Sequence, residues 1–206
     1  MIAIIDYGVG NLESIRNMLL KGGHAATITS DHQEILSADR LILPGVGSFD
    51  YGMSNLVSSG LLPLLNHLVL VERRPILGIC LGMQLMGLSS EEGSLPGIGW
   101  IDAKVKRFDF SGADPVLKVP HMGWNTLERL RPDPIIDVTL EDERYYFVHS
   151  YYVDCMNRED VVCRTEYGFA FDSVLRKDNI LGVQFHPEKS HRYGMRLLSN
   201  FAEHSL

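Results

Sequence analysis

Cysteine is scarce in this chain: Cys80, Cys155 and Cys163 are the only three among 206 residues, and no two stand in a CxxC spacing. An odd count with no CxxC pair argues against a disulfide framework and for a reducing cytoplasm. Long hydrophobic runs are also missing, since none approaches the roughly 20 residues that a membrane span needs. The opening Met1-Ile2-Ala3-Ile4-Ile5-Asp6 has no basic flank and meets an acid early, unlike a secretory leader. Nineteen basic against 26 acidic residues give a net charge of −7 without long like-charge blocks, so nothing favours a polyanionic partner such as nucleic acid. No set of His, Cys and acidic residues has metal-ligand spacing, and no metal is expected.

What is present is 45% hydrophobic residues in a length that suits one substantial core, hence a single domain over 1–206. In the first half, short apolar runs at 2–5, 25–29, 40–43 and 75–79 alternate with amphipathic stretches. That alternation predicts βαβ units and a largely parallel sheet. Helices are expected at Asn11 to Lys21, at Ser30 to Ser37 with Ser30 and Gln33 as a capping box, at Ser54 to Val71 with a start or bend at Pro63, and at Leu81 to Leu88. Beyond Gly97 the texture turns to strands, at Trp100 to Phe108, Tyr145 to Val153, Val161 to Thr165, Phe169 to Leu175 and Ile180 to Phe185. A closing helix is expected from Ser190 to His204, with no repeat or low-complexity linker.

The segment Pro75-Ile76-Leu77-Gly78-Ile79-Cys80-Leu81-Gly82-Met83-Gln84 passes from a buried strand into a helix, with a glycine two residues to either side of Cys80. A sharp strand-to-helix turn forces its central residue into a strained conformation, and small neighbours let the chain pass closely: a nucleophile elbow. A lone cysteine is ordinarily a small buried hydrophobe; here the flanking glycines favour a nucleophile. At a helix N-terminus its thiolate is favoured, and free N–H groups such as that of Leu81 can hold an oxyanion. Cys155 and Cys163 lack that context and read as structural.

A thiol that attacks an amide needs a base to take its proton and return it to the leaving amine, and the base needs an orienting carboxylate. His186-Pro187-Glu188, directly after the strand Ile180 to Phe185, can supply both. Pro187 keeps His186 extended, so residues two apart project to one side. By itself this tripeptide is an ordinary surface turn; with the elbow it completes a Cys-His-Glu relay. His24, His32, His67, His191 and His204 read as solvent or helix-surface positions. Leu41 to Gly47 ends a strand in Pro44-Gly45-Val46-Gly47, whose backbone N–H groups can approach a ligand. It lacks the lysine of a phosphate loop, and Gly8-Val9-Gly10-Asn11 lacks the third glycine of a dinucleotide site.

PGVG, GICLGMQ and QFHPE, in this order, resemble the class I glutamine amidotransferases. With SSEEG at Ser89 to Gly93, VPHMGWN at Val119 to Asn125 and YFVHSY at Tyr146 to Tyr151, the resemblance is to the HisH-type glutaminase subunits of imidazole glycerol phosphate synthase and spans essentially the whole chain. It implies a flavodoxin-like α/β fold, a central mostly parallel mixed sheet flanked by helices, with Cys80, His186 and Glu188 as the catalytic triad. It further implies Gly45, Val46 and Gly47 as the oxyanion strand, and Gln84, Glu92, Ser150 and Tyr151 around bound glutamine. No cofactor is implied. A HisF-like cyclase subunit is the implied partner, forming a heterodimer through Asn11, His121, Met122, Trp124, Tyr146 and Lys189 and taking up ammonia for histidine biosynthesis. The resemblance also implies that the partner's substrate rearranges the strand near Val46, and that the oxyanion hole is incomplete in the free subunit.

One stretch departs from that pattern: Ser48-Phe49-Asp50-Tyr51-Gly52-Met53 follows PGVG, as in HisH-like paralogues that feed ammonia to surface-sugar amidation. A catalytically silent subunit would retain the elbow as a fold element only, but it has no need of all three triad residues. A cysteine hydrolase of the DJ-1/PfpI group would share the cysteine elbow. In that group a histidine follows the cysteine directly, whereas here Leu81 does.

Overall fold

The computed structural model describes residues 1–112, 117–136 and 143–204. The first half alternates β1 (Ile2–Ile5), α1 (Leu12–Lys21), β2 (Ala26–Thr29), α2 (His32–Ser37), β3 (Arg40–Leu43), α3 (Phe49–Ser58), α4 (Leu62–Asn66), β4 (Ile76–Ile79) and α5 (Leu81–Leu85). There follow β5 (Ser89–Ser90), β6 (Ala103–Arg107), β7 (His121–Asn125), β8 (Glu128–Arg129), β9 (Tyr145–His149), β10 (Tyr151–Cys155), β11 (Val161–Tyr167), β12 (Phe169–Lys177), β13 (Ile180–Val183) and α6 (His191–Glu203). The main sheet runs β2-β1-β3-β4-β13-β12-β10-β6-β5, with β11 and β8 branching from β12. Its β2-β1-β3-β4-β13 stretch is parallel and the β13-β12-β10-β6 stretch antiparallel. The parallel part has the strand order of flavodoxin-like doubly wound sheets, and β7 pairs with β9 in a small sheet of its own.

Alternation along the strands divides the core. Ala3, Ile5, Leu41 and Leu43 face one side, under Phe49, Leu56, Leu65 and Leu85. Ile2, Ile4, Ile42, Leu77 and Ile79 face the other, against Ile15 and Leu19 of α1 and Leu197, Leu198 and Phe201 of α6. Burial of both sheet faces is why these strands read as continuous apolar runs.

Several local expectations change. The expected helix from Ser54 to Val71 starts earlier, at Phe49, and breaks at Gly60, whose φ of +72° ends it; α4 leaves at a bend of 94° with Pro63 in its first turn. The next five residues, His67–Val71, form a π-helical turn. Asp31, not Ser30, caps α2, its carboxylate accepting from Gln33 N at 2.9 Å and Glu34 N at 3.0 Å. The expected helix Leu81 to Leu88 stops at Leu85, because Gly87 packs close under the Ala103 carbonyl as the chain turns into β5. The expected strand Tyr145 to Val153 is two strands, β9 and β10, which separate at Ser150 into different sheets. Strand β7 carries its polar His121 inward and its Met122 and Trp124 outward, so its pattern hid it.

Candidate active site

Strands β3, β4 and β13 are neighbours and run the same way, Leu43 pairing with Gly78 and Val183 with Ile79. Whatever follows their C-terminal ends therefore meets at one edge, where doubly wound sheets place their ligands. Those continuations are Pro44 to Gly47, Cys80 and Gln184 to Glu188.

Cys80 adopts φ +53° and ψ −110°, a left-handed conformation that a side chain adopts only when its surroundings impose it. The imposition is visible on both sides. Cys80 N donates to Val183 O at 2.8 Å, extending the ladder to β13. A Cβ on Gly82 would lie 1.8 Å from Leu43 O, and one on Gly78 would lie 2.9 Å from Met83 Cα. Only glycines let α5 fold back this tightly against β3 and β4. Pro44 is held in turn by Tyr7, whose hydroxyl donates to its carbonyl at 2.5 Å.

His186 is 2% exposed, and its Nδ1 lies 2.8 Å from Glu188 Oε1. Its backbone is extended, at φ −101° and ψ 99°, the geometry expected before Pro187. Burial pulls the imidazole pKa down, but hydrogen bonds to Cys80 and Glu188 outweigh it and lift the value to about 10. The site thus favours imidazolium beside the sulfur. A support that sequence reasoning missed is Ser190, whose hydroxyl donates to His186 O at 2.6 Å and accepts from Tyr146 N at 2.9 Å.

Above these residues opens a cavity of about 380 Å³ lined by Val46, Gly47, Cys80, Leu81, Gln84, Glu92, Pro120, Val148, His149, Ser150, Tyr151, His186 and Lys189. The structure thus brings together nearly all of the expected glutamine-site residues. Gly45 lies beneath, packed on Leu81 and the Gly82 N–H. Glu92 reaches the cavity and also accepts from Phe49 N at 2.8 Å, which ties it to the start of α3. Gln84 Nε2 is committed inward, donating to Tyr151 O and Gln184 Oε1, each at 3.1 Å.

Of the expected partner-facing residues, Asn11 and Lys189 are exposed and Tyr146 is half-buried, while Met122 and Trp124 are 61% and 41% exposed. His121 is a correction. It is 3% exposed, stacked between Phe147 and Tyr167, so it has no surface to offer a partner. Its Nδ1 lies 3.0 Å from His149 Nε2, and His149 Nδ1 lies 2.8 Å from Tyr151 O. Burial pushes His121 down to about 4 and His149 down to about 3, so both are neutral. His149 joins the site through the β9–β10 break, which the sequence pattern did not reveal. Among the described residues, no group of three or more His, Cys, Asp or Glu could hold a metal ion.

The arrangement suits acyl transfer from a small polar amide: a thiol nucleophile, an acid–base imidazole with its carboxylate, and a polar cavity beside them. The class-I glutamine amidotransferase family model matches residues 3–205. The imidazole glycerol phosphate synthase subunit HisH 2 of Methanococcus maripaludis is 53% identical over 201 residues, covering 98% of both chains. The HisH subunit of Leptospira interrogans is 45% identical over 202 residues, covering 98% of this chain and 99% of its own. Among solved structures, PurLQS from Thermotoga maritima superposes with a TM-score of 0.70 at 17% identity, covering 97% of this chain and 96% of its own, a likeness of fold. The chain belongs to the class-I glutamine amidotransferase family, in the branch of the HisH subunits.

Proposed function

We propose that this chain is the glutaminase subunit of an imidazole glycerol phosphate synthase, acting in the cytoplasm. It hydrolyses glutamine to glutamate and passes the ammonia to a HisF-like cyclase subunit for histidine biosynthesis. The observation that carries this is the convergence of Cys80, His186 and Glu188 at the ends of adjacent parallel strands, beneath a cavity that also holds Gln84, Glu92, Ser150 and Tyr151. The HisH relatives supply the pathway.

The Cys80 thiolate attacks the carboxamide carbon of glutamine, and the carbonyl electrons move to oxygen, facing the N–H groups of Leu81 and the Val46 segment. His186 gives its proton to the departing nitrogen, so ammonia leaves and a thioester remains. Water then attacks the thioester, losing its proton to His186, and glutamate departs as Cys80 regains its sulfur electrons. Glu188 holds the imidazole and its charge throughout. Ammonia released to neutral water is mostly ammonium, a poor nucleophile. A partner capping the cavity keeps it unprotonated, which gives a physical reason for an exposed Met122 and Trp124 beside the site.

The test combines this chain with the cyclase subunit from its own organism and follows glutamine-dependent imidazole glycerol phosphate formation, with Cys80→Ala as control. Product that needs both glutamine and Cys80 supports the assignment. If none forms while the cyclase still works with added ammonium, the chain serves another acceptor. Glutamine hydrolysis that survives Cys80→Ala refutes the nucleophile.

A further inference from the structure

Behind Cys80 lies a second polar side chain that the glutaminase mechanism leaves unused. Gln184 follows β13 and is wholly buried, with its N–H donating to Ser173 O at 2.9 Å. Its Nε2 lies 3.7 Å from Cys80 Sγ, and its Oε1 accepts from Gln84 Nε2 at 3.1 Å. A buried primary amide needs partners for both ends, and here one of them is the reacting sulfur.

The orientation of this amide is dictated. Gln84 presents one end to the Tyr151 carbonyl at 3.1 Å. A carbonyl oxygen only accepts, so that end is the amino group. The same amino group faces Gln184, which must therefore turn its oxygen toward Gln84 and its own amino group toward the sulfur. His149 reinforces the hub: its Nδ1–H also donates to Tyr151 O, which leaves Nε2 to accept from His121 Nδ1–H. Asn125 Nδ2 in turn stands 3.2 Å from His121 Nε2. A continuous chain of hydrogen bonds, each donor assigned by its neighbour, thus runs from β7 to the nucleophile.

We propose that Gln184 is a further catalytic residue, whose Nε2–H donates to Cys80 Sγ and is aimed there by the Tyr151 carbonyl through Gln84. The inference rests on Cys80 being the nucleophile. A hydrogen bond to a charged acceptor is stronger than one to a neutral acceptor. The contact therefore favours thiolate over thiol before attack, and again when the thioester sulfur leaves. Gln184 is absent from the cavity lining, so it acts on the chemical step and not on glutamine binding.

Two readouts test it: kcat and KM for glutamine, and the rate at which iodoacetamide alkylates Cys80 at pH 7. The other cysteines stay silent in that assay, since both are buried, with Cys155 pushed up to about 11 and Cys163 to about 12. Gln184→Glu keeps the side-chain shape and the acceptor for Gln84; wholly buried beside the sulfur, its carboxyl is held protonated and its O–H stands in for the amide donor. Gln184→Met removes the donor without adding charge. The expected result is an alkylation rate and a kcat each lowered about tenfold in Gln184→Met and largely restored in Gln184→Glu, with KM within about twofold. A folded Gln184→Met that alkylates at the wild-type rate, or that loses only KM, overturns the role. If both variants unfold, the side-chain amide resonance of Gln184 decides: it shifts on blocking Cys80 if the contact exists, and an unmoved resonance refutes it. Activity that persists in Cys80→Ala would instead sink the nucleophile assignment and leave the Gln184 geometry as a packing feature.

Discussion

His121 Nδ1 and His149 Nε2 stand 3.0 Å apart beside the cavity over Cys80, and burial keeps both rings neutral. Their folded values, about 4 and about 3, lie below the 6.5 of a free imidazole. The unfolded chain therefore binds protons first, and stability present above pH 6.5 is lost as pH falls toward 4 and then 3. His186 has the opposite sign, its value raised to about 10. Its contribution is complete below pH 6.5 and lost as pH rises toward 10, so it adds no slope in acid. We expect urea midpoints to fall between pH 6.5 and 4.5. In His121→Phe, which preserves the stack but leaves His149 Nε2 unpartnered, stability at pH 7 drops by about 1–3 kcal/mol while the acid slope becomes shallower. An unchanged slope would exclude His121 as a source.

The Glu188 carboxylate supports charge on His186, so Glu188→Gln keeps the hydrogen bond but withdraws that support. The imidazolium then gives up its proton at lower pH. Glutaminase activity near pH 8 is expected to fall about 100-fold, within the range of general acid–base catalysis, and the alkaline limb of kcat/KM to move toward neutrality. A pH profile of kcat/KM for both proteins checks this; limbs that coincide would deny Glu188 its electrostatic part.

Legibility in the sequence followed locality. Cys80 and the His186–Glu188 pair were readable because each depends on a few adjacent residues: glycines flanking one, a proline inside the other. The βαβ half was readable because strands buried on both faces are unbroken apolar runs. The separation at Ser150, the burial of His121 and the amide chain through Gln84 and Gln184 were not. The first two depend on how β7 and β9 pair outside the main sheet and the last on α5, β13 and β10 meeting at one edge, long-range contacts that no window of sequence contains. Strand β7 misleads further, since its apolar Met122 and Trp124 point outward and its histidine points inward.

Gly82 sets how closely α5 approaches β3. Its Cβ as alanine would fall 1.8 Å from the Leu43 carbonyl oxygen, a backbone atom held in the sheet. Neither side can yield without moving Cys80, so Gly82→Ala should cost about 3 kcal/mol or more and abolish glutamine hydrolysis. Gly112→Ala, at a position with nothing within 4 Å among the described residues and no positive φ, should stay within about 0.5 kcal/mol. Chemical denaturation of the two variants measures the contrast, and equal stabilities would show that the elbow is looser than its geometry.

Trp124 separates a docking role from a packing one. It is 41% exposed, yet it stacks on His191 at 5.4 Å and 9°, meets Tyr146 edge-on at 5.9 Å and lies under Arg144 at 5.8 Å. These contacts hold the ring in a fixed place and still leave it 41% exposed, as suits an aromatic anchor for a partner. For Trp124→Ala we expect cyclase affinity to weaken by about 30-fold, near 2 kcal/mol. Stability should fall by only about 1 kcal/mol, since the lost contacts are at the surface, and glutamine hydrolysis by the chain alone should stay close to wild type. Titration of the cyclase subunit against each protein, followed by glutaminase activation, reads affinity and basal activity, and urea unfolding reads stability. A variant that loses stability while it binds the cyclase normally would reduce Trp124 to surface packing and move the docking face elsewhere.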